Sequence, residues 1–323
     1  MKHKAIKNDR RLLRIGHLPT VYHTSFILMG TALLENMGIE VTWTLFPSGP
    51  DIVNAMHDGR IDLGYIGLPP AIIGIDKGVM LACIAGGHIE GTTVIARGGA
   101  RTLDQCAGMA EFLAQFSGRQ IGCPPRGSIH DVIINELLRE SDINDVRVSN
   151  YSWADFLPDA LMEEKIAAAA GTPALAVAAR RYYGHSAKIV VPPSKLWPFN
   201  PSYGIVTLRE VLHHGNLLSR FLMAHEEACE MIRKSPFKCA RIVAKTTGIV
   251  DEEFVMEAYH ISPKYCASLP PEYIRSTMKF VRALHTLGYI SREVSETDIF
   301  YASLINEVHR APPHYECGIR ERL

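Results

Sequence analysis

The chain has 323 residues, long enough for two lobes of ordinary domain size. Hydrophobic residues make up 47%, and Lys+Arg and Asp+Glu both number 34, giving a formal net charge of +0. There is no basic excess for nucleic acid or an anionic membrane surface, and no apolar run approaches the ~18 residues of a membrane span.

The basic stretch from Met1 to Arg11 is followed by Leu12-Leu13-Arg14-Ile15-Gly16, too short for the apolar core of a secretory leader. Neither a small-residue cleavage site nor an early lipid-accepting cysteine follows. The seven cysteines are odd in number, widely spaced and without a CxxC pair. That pattern fits free thiols in a reducing compartment. The expected location is the cytoplasm; the alternative is a periplasmic or extracellular protein whose leader has been removed.

In chain order, residues 11–17 read as a short apolar strand ending at Gly16-His17-Leu18-Pro19. Residues 22–37 carry helical apolar spacing at Phe26, Met29, Leu33 and Met37 and stop at Gly38. Residues 39–46 alternate as a strand, 51–57 form a short helix, 61–66 a strand, 69–77 a helix ended by Gly78, and 79–85 a strand. This alternation predicts a parallel or mostly parallel sheet. Residues 92–97 follow as a strand, 103–116 as a helix, 120–123 as a strand and 128–139 as an amphipathic helix. Strands at 145–150, 165–170, 188–191 and 203–208 alternate with helices at 157–164 and 173–181. Beyond Arg209 the pattern is helical, over 216–234, 239–247, 251–259, 271–287 and 297–310, with an irregular tail from 311.

Two βα sets, a connecting strand and a later return strand describe an α/β chain of two lobes with two hinge crossings and a helical C-terminal region. The expected division is a first lobe over 1–96, a second over 97–202, and a return strand with C-terminal helices over 203–323. Open α/β sheets bind small ligands outside the carboxyl ends of their strands, so the glycine turns there are the candidate site.

At this point the chain resembles the type II periplasmic-binding-protein fold. Within it, the chain is similar to the nitrate/sulfonate/taurine solute-binding branch and its NMT1-like relatives in thiamine-precursor synthesis. The residues that carry the resemblance are Ile15-Gly16-His17, Ser48-Gly49-Pro50 with Asn54-Ala55, and Gly59-Arg60-Ile61-Asp62-Leu63-Gly64. Gly67-Leu68-Pro69-Pro70, Gly122, Gly127-Ser128-Ile129-His130-Asp131 and the late Leu269-Pro270-Pro271-Glu272-Tyr273 continue it. The resemblance implies a solute-binding protein for a sulfonate, nitrate-like anion or aromatic heterocycle, partnered by an ABC permease. Two departures stand out. The strand before Gly171 reads Lys165-Ile166-Ala167-Ala168 where the family has Ile-Asp-Ala, and the His-Cys-rich motif of the precursor-synthesising relatives is missing.

The candidate ligand residues are His17, Thr24, Ser48, Gly49, Tyr65, Gly67, Gly127, Ser128, His130, Thr172 and Trp197. Ser128 can cap a helix whose free N–H groups attract an anion, with Asp131 as reciprocal partner. Ser48 and Thr172 stand at equivalent helix starts, where an ordinary cap has the same composition. Gly67 permits close backbone approach, and Tyr65 either stacks on a ligand or fills the core. His17 is either an oxyanion donor or a loop histidine, and Trp197 either walls the cleft or plugs the hinge.

Catalytic patterns are thin. His225 and Cys229 have zinc-ligand spacing on a helix but no second pair nearby, and read as coincidence. Cys123 and His130 could form a nucleophile pair, without a visible third group. GxSxG, HExxH, P-loop and GxGxxG patterns are missing, and no cofactor is expected. The rival to the binding protein is a cytoplasmic enzyme or ligand sensor on the same fold, such as a cofactor-precursor biosynthesis protein.

Overall fold

The computed structural model describes residues 12–319; the basic stretch from Met1 to Arg11 lies outside the described residues. Ten strands form two five-stranded sheets. They are β1 (Leu12–His17), β2 (Glu40–Leu45), β3 (Leu63–Ile66), β4 (Leu81–Ile89), β5 (Thr93–Arg97), β6 (Gln120–Cys123), β7 (Arg147–Asn150), β8 (Ala168–Gly171), β9 (Ala187–Val191) and β10 (Pro201–Leu208). The first sheet has the order β2-β1-β3-β10-β4 and the second β7-β6-β8-β5-β9. In the first, β1 runs parallel to β2 and β3, and β10 is antiparallel to β3 and β4. The second repeats this plan, with β6 parallel to β7 and β8 and β5 antiparallel to β8 and β9.

Register aligns the carboxyl ends. His17 pairs with Leu45 in one sheet and Cys123 with Asn150 in the other. Alternation on β1 buries Leu13 and Ile15 completely. Each such side chain contributes ~1.5–3 kcal/mol by leaving water. Gly64 on β3 lets the helix Gly49–His57 lie close, since a Cβ there would stand 2.6 Å from Ile52 Cγ2.

Two chain crossings join the sheets side by side. The Glu90 N–H donates to Asn200 O at 2.8 Å, and the Phe199 N–H donates to Glu90 Oε1 at 2.9 Å. Both Glu90 (φ 59) and Phe199 (φ 60) hold left-handed backbone, a geometry that costs ~1–2 kcal/mol in a non-glycine residue. By its pairing, β5 belongs wholly to the second sheet, so the expected boundary at 96 falls inside a second-sheet strand.

The C-terminal helices bridge both halves. Pro236–Thr247 packs on Ser25–Met29, Glu252–Ile261 on the second-sheet helix Pro173–Tyr183, and Pro271–Thr286 on both Leu68–Asp76 and Ile129–Glu140. Three predicted helices are interrupted. The 22–37 segment is two helices, Ser25–Met29 and Leu33–Asn36, because Gly30 sits against Ile242 and Thr246 of the crossing helix. The 103–116 segment keeps a helix only over Met109–Ala114, after extended Gly108. The 297–310 segment breaks at Phe300, which bridges to Cys83 of β4. Among the described residues no helix is long and apolar enough to cross a membrane.

Candidate functional site

A cavity of about 690 Å³ opens between the sheets. Its inner wall takes residues that follow strand ends: Leu18 directly after β1, Ser48 and Gly49 three and four residues after β2, Gly67 after β3, Pro124 after β6 and Thr172 after β8. This is the position the strand-end rule predicts, supplied here by two sheets at once.

Four helix N-termini meet this wall. Ser48 caps Gly49–His57: its Oγ accepts from the Asp51 N–H at 3.4 Å and donates to Asp51 Oδ2 at 2.5 Å. Ser128 caps Ile129–Glu140, accepting from the Asp131 N–H at 3.3 Å, and Thr172 caps Pro173–Tyr183, accepting from the Leu175 N–H at 3.3 Å. Gly67 starts Leu68–Asp76, whose next residues, Pro69 and Pro70, have no N–H to offer. The capping hydroxyls are engaged with their own helices. Prolines remove amides from the first turns at Pro50, Pro69, Pro70 and Pro173, so these termini bring the partial positive charge of their helices to the wall with few free N–H groups. Among the described residues no lysine or arginine lines the cavity, whereas two carboxylates, Asp155 and Asp159, do.

Two histidines contribute without charge. His130 Nδ1 lies 2.9 Å from Thr92 Oγ1, and burial lowers its pKa to about 4. His23 is buried against Tyr203, with ring centroids 4.1 Å apart. Burial, then the neighbouring His88, His17 and His225, hold its pKa well below the usual range. Both rings are neutral near pH 7, and each offers one donor and one acceptor. Thr20, Tyr22 and Ser202 complete the inner wall, with Tyr22 Oη 3.2 Å from Ser202 Oγ.

Six of the eleven predicted residues line the cavity: Ser48, Gly49, Gly67, Ser128, His130 and Thr172. The other five lie elsewhere. His17 is turned behind its loop, with its ring edge-on to Phe26 and Trp43. Thr24 is fully buried in a network with Tyr203 Oη and His225 Nδ1. Tyr65 packs in the core beside Tyr203 and Trp43. Gly127 (φ 82) serves the turn; Asp131 Oδ2 accepts its N–H at 2.8 Å, and its Cα faces Ile73 of the first half. Trp197 stacks flat on Phe280 at 4.1 Å and fills the hinge core. Arg126 lies over the Tyr289 ring at 4.7 Å, away from the cavity.

The sequence reading missed the outer wall. Tyr182, Tyr183, Ile249, Val250 and Phe254 also line the cavity, drawn from the second-sheet helix Pro173–Tyr183, the turn after Pro236–Thr247 and the helix Glu252–Ile261. Across this rim Arg181 pairs with Asp251 and Glu257 and covers the Phe254 ring, and Arg180 pairs with Glu257. These contacts join partners some 70 residues apart, and sequence spacing carries no sign of them.

The nucleophile pair weighed for Cys123 and His130 does not form. Cys123 Sγ lies 4.0 Å from the His130 carbonyl oxygen, while the His130 ring faces Thr92. Burial also raises the Cys123 thiol far above its usual range. His225 and Cys229 do not share a ligand either: His225 Nε2 bonds Gly86 O at 2.8 Å and Cys229 Sγ donates to Gly87 O at 3.8 Å.

Sequence comparison matches the NMT1-like family over residues 7–248. The chain belongs to the NMT1-like family. No curated protein sequence matches it. Among solved structures, this NMT1-like protein is similar to a ligand-binding component of an ABC-type import system from Staphylococcus aureus, solved with zinc bound (TM-score 0.77, 16% identity, 93% of this chain and 100% of that one). It is also similar to the alkanesulfonate-binding protein SsuA from Xanthomonas axonopodis pv. citri bound to MOPS (TM-score 0.74, 18% identity, 90% and 98% covered). A third similar structure is the periplasmic nitrate-binding protein NrtA from Synechocystis PCC 6803 (TM-score 0.76, 13% identity, 93% and 88% covered). The NMT1-like chain therefore has the periplasmic-binding-protein fold, as the sequence resemblance implied.

Proposed function

We propose that this NMT1-like protein is a solute-binding protein that holds one small organic molecule between its two halves. The observation that carries the reading is the convergence of four helix N-termini, at Ser48, Gly67, Ser128 and Thr172, on one 690 Å³ cavity. Such termini favour an anionic or strongly polar head group. Among the described residues the cavity is lined by no lysine or arginine and by two carboxylates, Asp155 and Asp159, which favours a polar or at most monoanionic head group over a dianion. The volume suits a sulfonate with an organic body, or a heterocycle, better than a bare four-atom anion. Tyr22, Pro70 and Phe254 would flank that body. Closure of the halves excludes water and strengthens each polar contact.

The alkanesulfonate-binding and nitrate-binding neighbours support this ligand range, and the Staphylococcus aureus neighbour, a ligand-binding component of an ABC-type import system, supports an ABC permease as partner. The seven cysteines are all free thiols, five of them buried, which supports a reducing compartment and the cytoplasmic placement, whereas delivery to an import permease requires the exported alternative. Cell fractionation tests it; recovery in an exported fraction would overturn it.

The function is tested by thermal shift with a panel of alkanesulfonates, MOPS, nitrate and pyrimidines, followed by mass spectrometry of the released compound. A ligand should raise the melting temperature with concentration and come off unaltered. A transformed product would favour the enzyme reading.

A further inference from the structure

Far from the cavity, four side chains from three separated segments aim their ligand atoms at one point. Glu226 lies on the helix Gly215–Lys234, Cys266 on the loop after Glu252–Ile261, and His309 and His314 beyond the helix Ser303–Val308. None of them lines the cavity. One atom from each, the carboxylate oxygen, the sulfur and two ring nitrogens, lies within 4.8 Å of all the others. His309 Nε2 is 3.1 Å from His314 Nδ1, 3.4 Å from Cys266 Sγ and 3.7 Å from Glu226 Oε1. His314 Nδ1 is 3.9 Å from Cys266 Sγ and 4.0 Å from Glu226 Oε1.

These are the edges of a slightly open tetrahedron. With metal bonds of ~2.3 Å to sulfur and ~2.0 Å to nitrogen, a tetrahedral zinc ion separates its sulfur and nitrogen ligands by about 3.5 Å and two nitrogens by about 3.3 Å. A proton on His309 Nε2 can serve only one of the three ligand atoms around it at a time, whereas one cation engages all four at once. The surroundings also fit. The Ser268 hydroxyl lies 3.0 Å from Cys266 Sγ, and the His314 N–H donates to that sulfur at 3.4 Å. Arg233 donates to Glu226 Oε1 at 2.9 Å and the Ala267 N–H to Oε2 at 2.9 Å, fixing the carboxylate. His309 and His314 are separated by four residues, within the usual spacing of a zinc-binding histidine pair.

We propose that Glu226, Cys266, His309 and His314 form a structural zinc site. One thiolate and one carboxylate supply two negative charges toward a divalent cation, the carboxylate being shared with Arg233, and the mixed sulfur and nitrogen donors select zinc over magnesium or calcium. Four protein ligands leave no open position, so the ion is structural rather than catalytic. It clips the C-terminal segment to the first sheet: the Cys266 N–H donates to Gly87 O on β4 at 3.2 Å, and the Gly86 N–H to Ala267 O at 2.8 Å. The neighbouring Lys264 ties Glu90 at the hinge crossing to Glu316 on the clipped segment.

The test uses the full chain without a polyhistidine tag. Elemental analysis should find about one zinc per chain, and the chelator-stripped protein should take up cobalt with a thiolate-to-cobalt charge-transfer band. C266S should lose the band, while C317S, altered at an exposed cysteine, should keep it. Should C266S fail to fold, the partly exposed His314 offers H314A, expected to fold and to bind zinc at least tenfold more weakly. Wild-type protein with neither zinc nor a cobalt band would overturn the assignment, as would a band that survives in C266S or unchanged zinc affinity in H314A. The cleft variant G67L should retain its zinc, so failure of the ligand-binding reading leaves this result separate.

Discussion

Gly67 offers a way to open the cleft without touching the fold. It caps Leu68–Asp76 with φ −64 and ψ 154, a geometry open to any residue. A Cβ at this position would stand 3.4 Å from Ile129 Cβ and Ser202 O and 3.6 Å from Ile129 Cγ2, ordinary contact distances. Alanine therefore fits. Leucine brings three further carbons toward Ile129, which belongs to the opposite half, and must hold the halves apart. A ligand gripped from both sides then loses its partners around Ser128, His130 and Thr172. Three hydrogen bonds at ~1–1.5 kcal/mol each amount to about 3–4.5 kcal/mol, or on the order of 100–2000-fold in affinity. Titration calorimetry, with the compound giving the largest thermal shift, should place G67A within about threefold of wild type. G67L should fall by two to three orders of magnitude while its urea stability changes by less than ~1 kcal/mol. Wild-type affinity in G67L would refute a two-sided grip.

Other consequences are equally open to measurement. Burial lowers His88 to about 3 and His130 and His225 to about 4, against ~6.5 in the unfolded chain. The unfolded chain thus takes up protons below pH ~6.5 that the folded chain refuses until near pH 4. Stability should be full above pH ~6.5 and fall between there and 4, and a flat urea midpoint from pH 7 to 5 would contradict this. A Cβ on Gly91 would stand 1.9 Å from Ser202 Oγ at the hinge, whereas one on Gly99 meets nothing within 4 Å. G91A should lose about 1–3 kcal/mol in urea unfolding and G99A almost nothing; equal losses would dissociate the hinge from this packing. R181A, which removes the rim pairing to Asp251 and Glu257, should raise the ligand off-rate severalfold at low salt, with the difference shrinking in high salt. An unchanged off-rate would deny the rim a role in closure.

The inner half of the site was legible in the sequence because it is local chemistry. Ser48, Ser128 and Thr172 each precede a helix whose apolar spacing announces it, and each follows a strand. Strand-end position and cap identity together place a residue at a ligand wall. Residues one step further along the chain were misplaced. Tyr65 on β3 alternates inward to the core, and Thr24 turns to meet His225, some 200 residues away. Trp197 was open between cleft and hinge until Phe280 arrived from the C-terminal helices. The same C-terminal region supplies Ile249 and Val250 from a turn and Phe254 from a helix, and nothing local to those residues marks them as facing a cleft. The cluster of Glu226, Cys266, His309 and His314 was hidden for the same reason, since only folding brings its segments together. Helix lengths erred where glycine met tertiary contact, as at Gly30 beneath Thr246.

A crystal structure of the protein with the sulfonate or heterocycle that stabilises it most would test the central claim directly. The ligand's polar head should lie within hydrogen-bonding distance of amides from both halves, at the Ser48 or Gly67 terminus on one side and the Ser128 or Thr172 terminus on the other. A ligand seated on one half alone, or outside this cavity, would contradict the account.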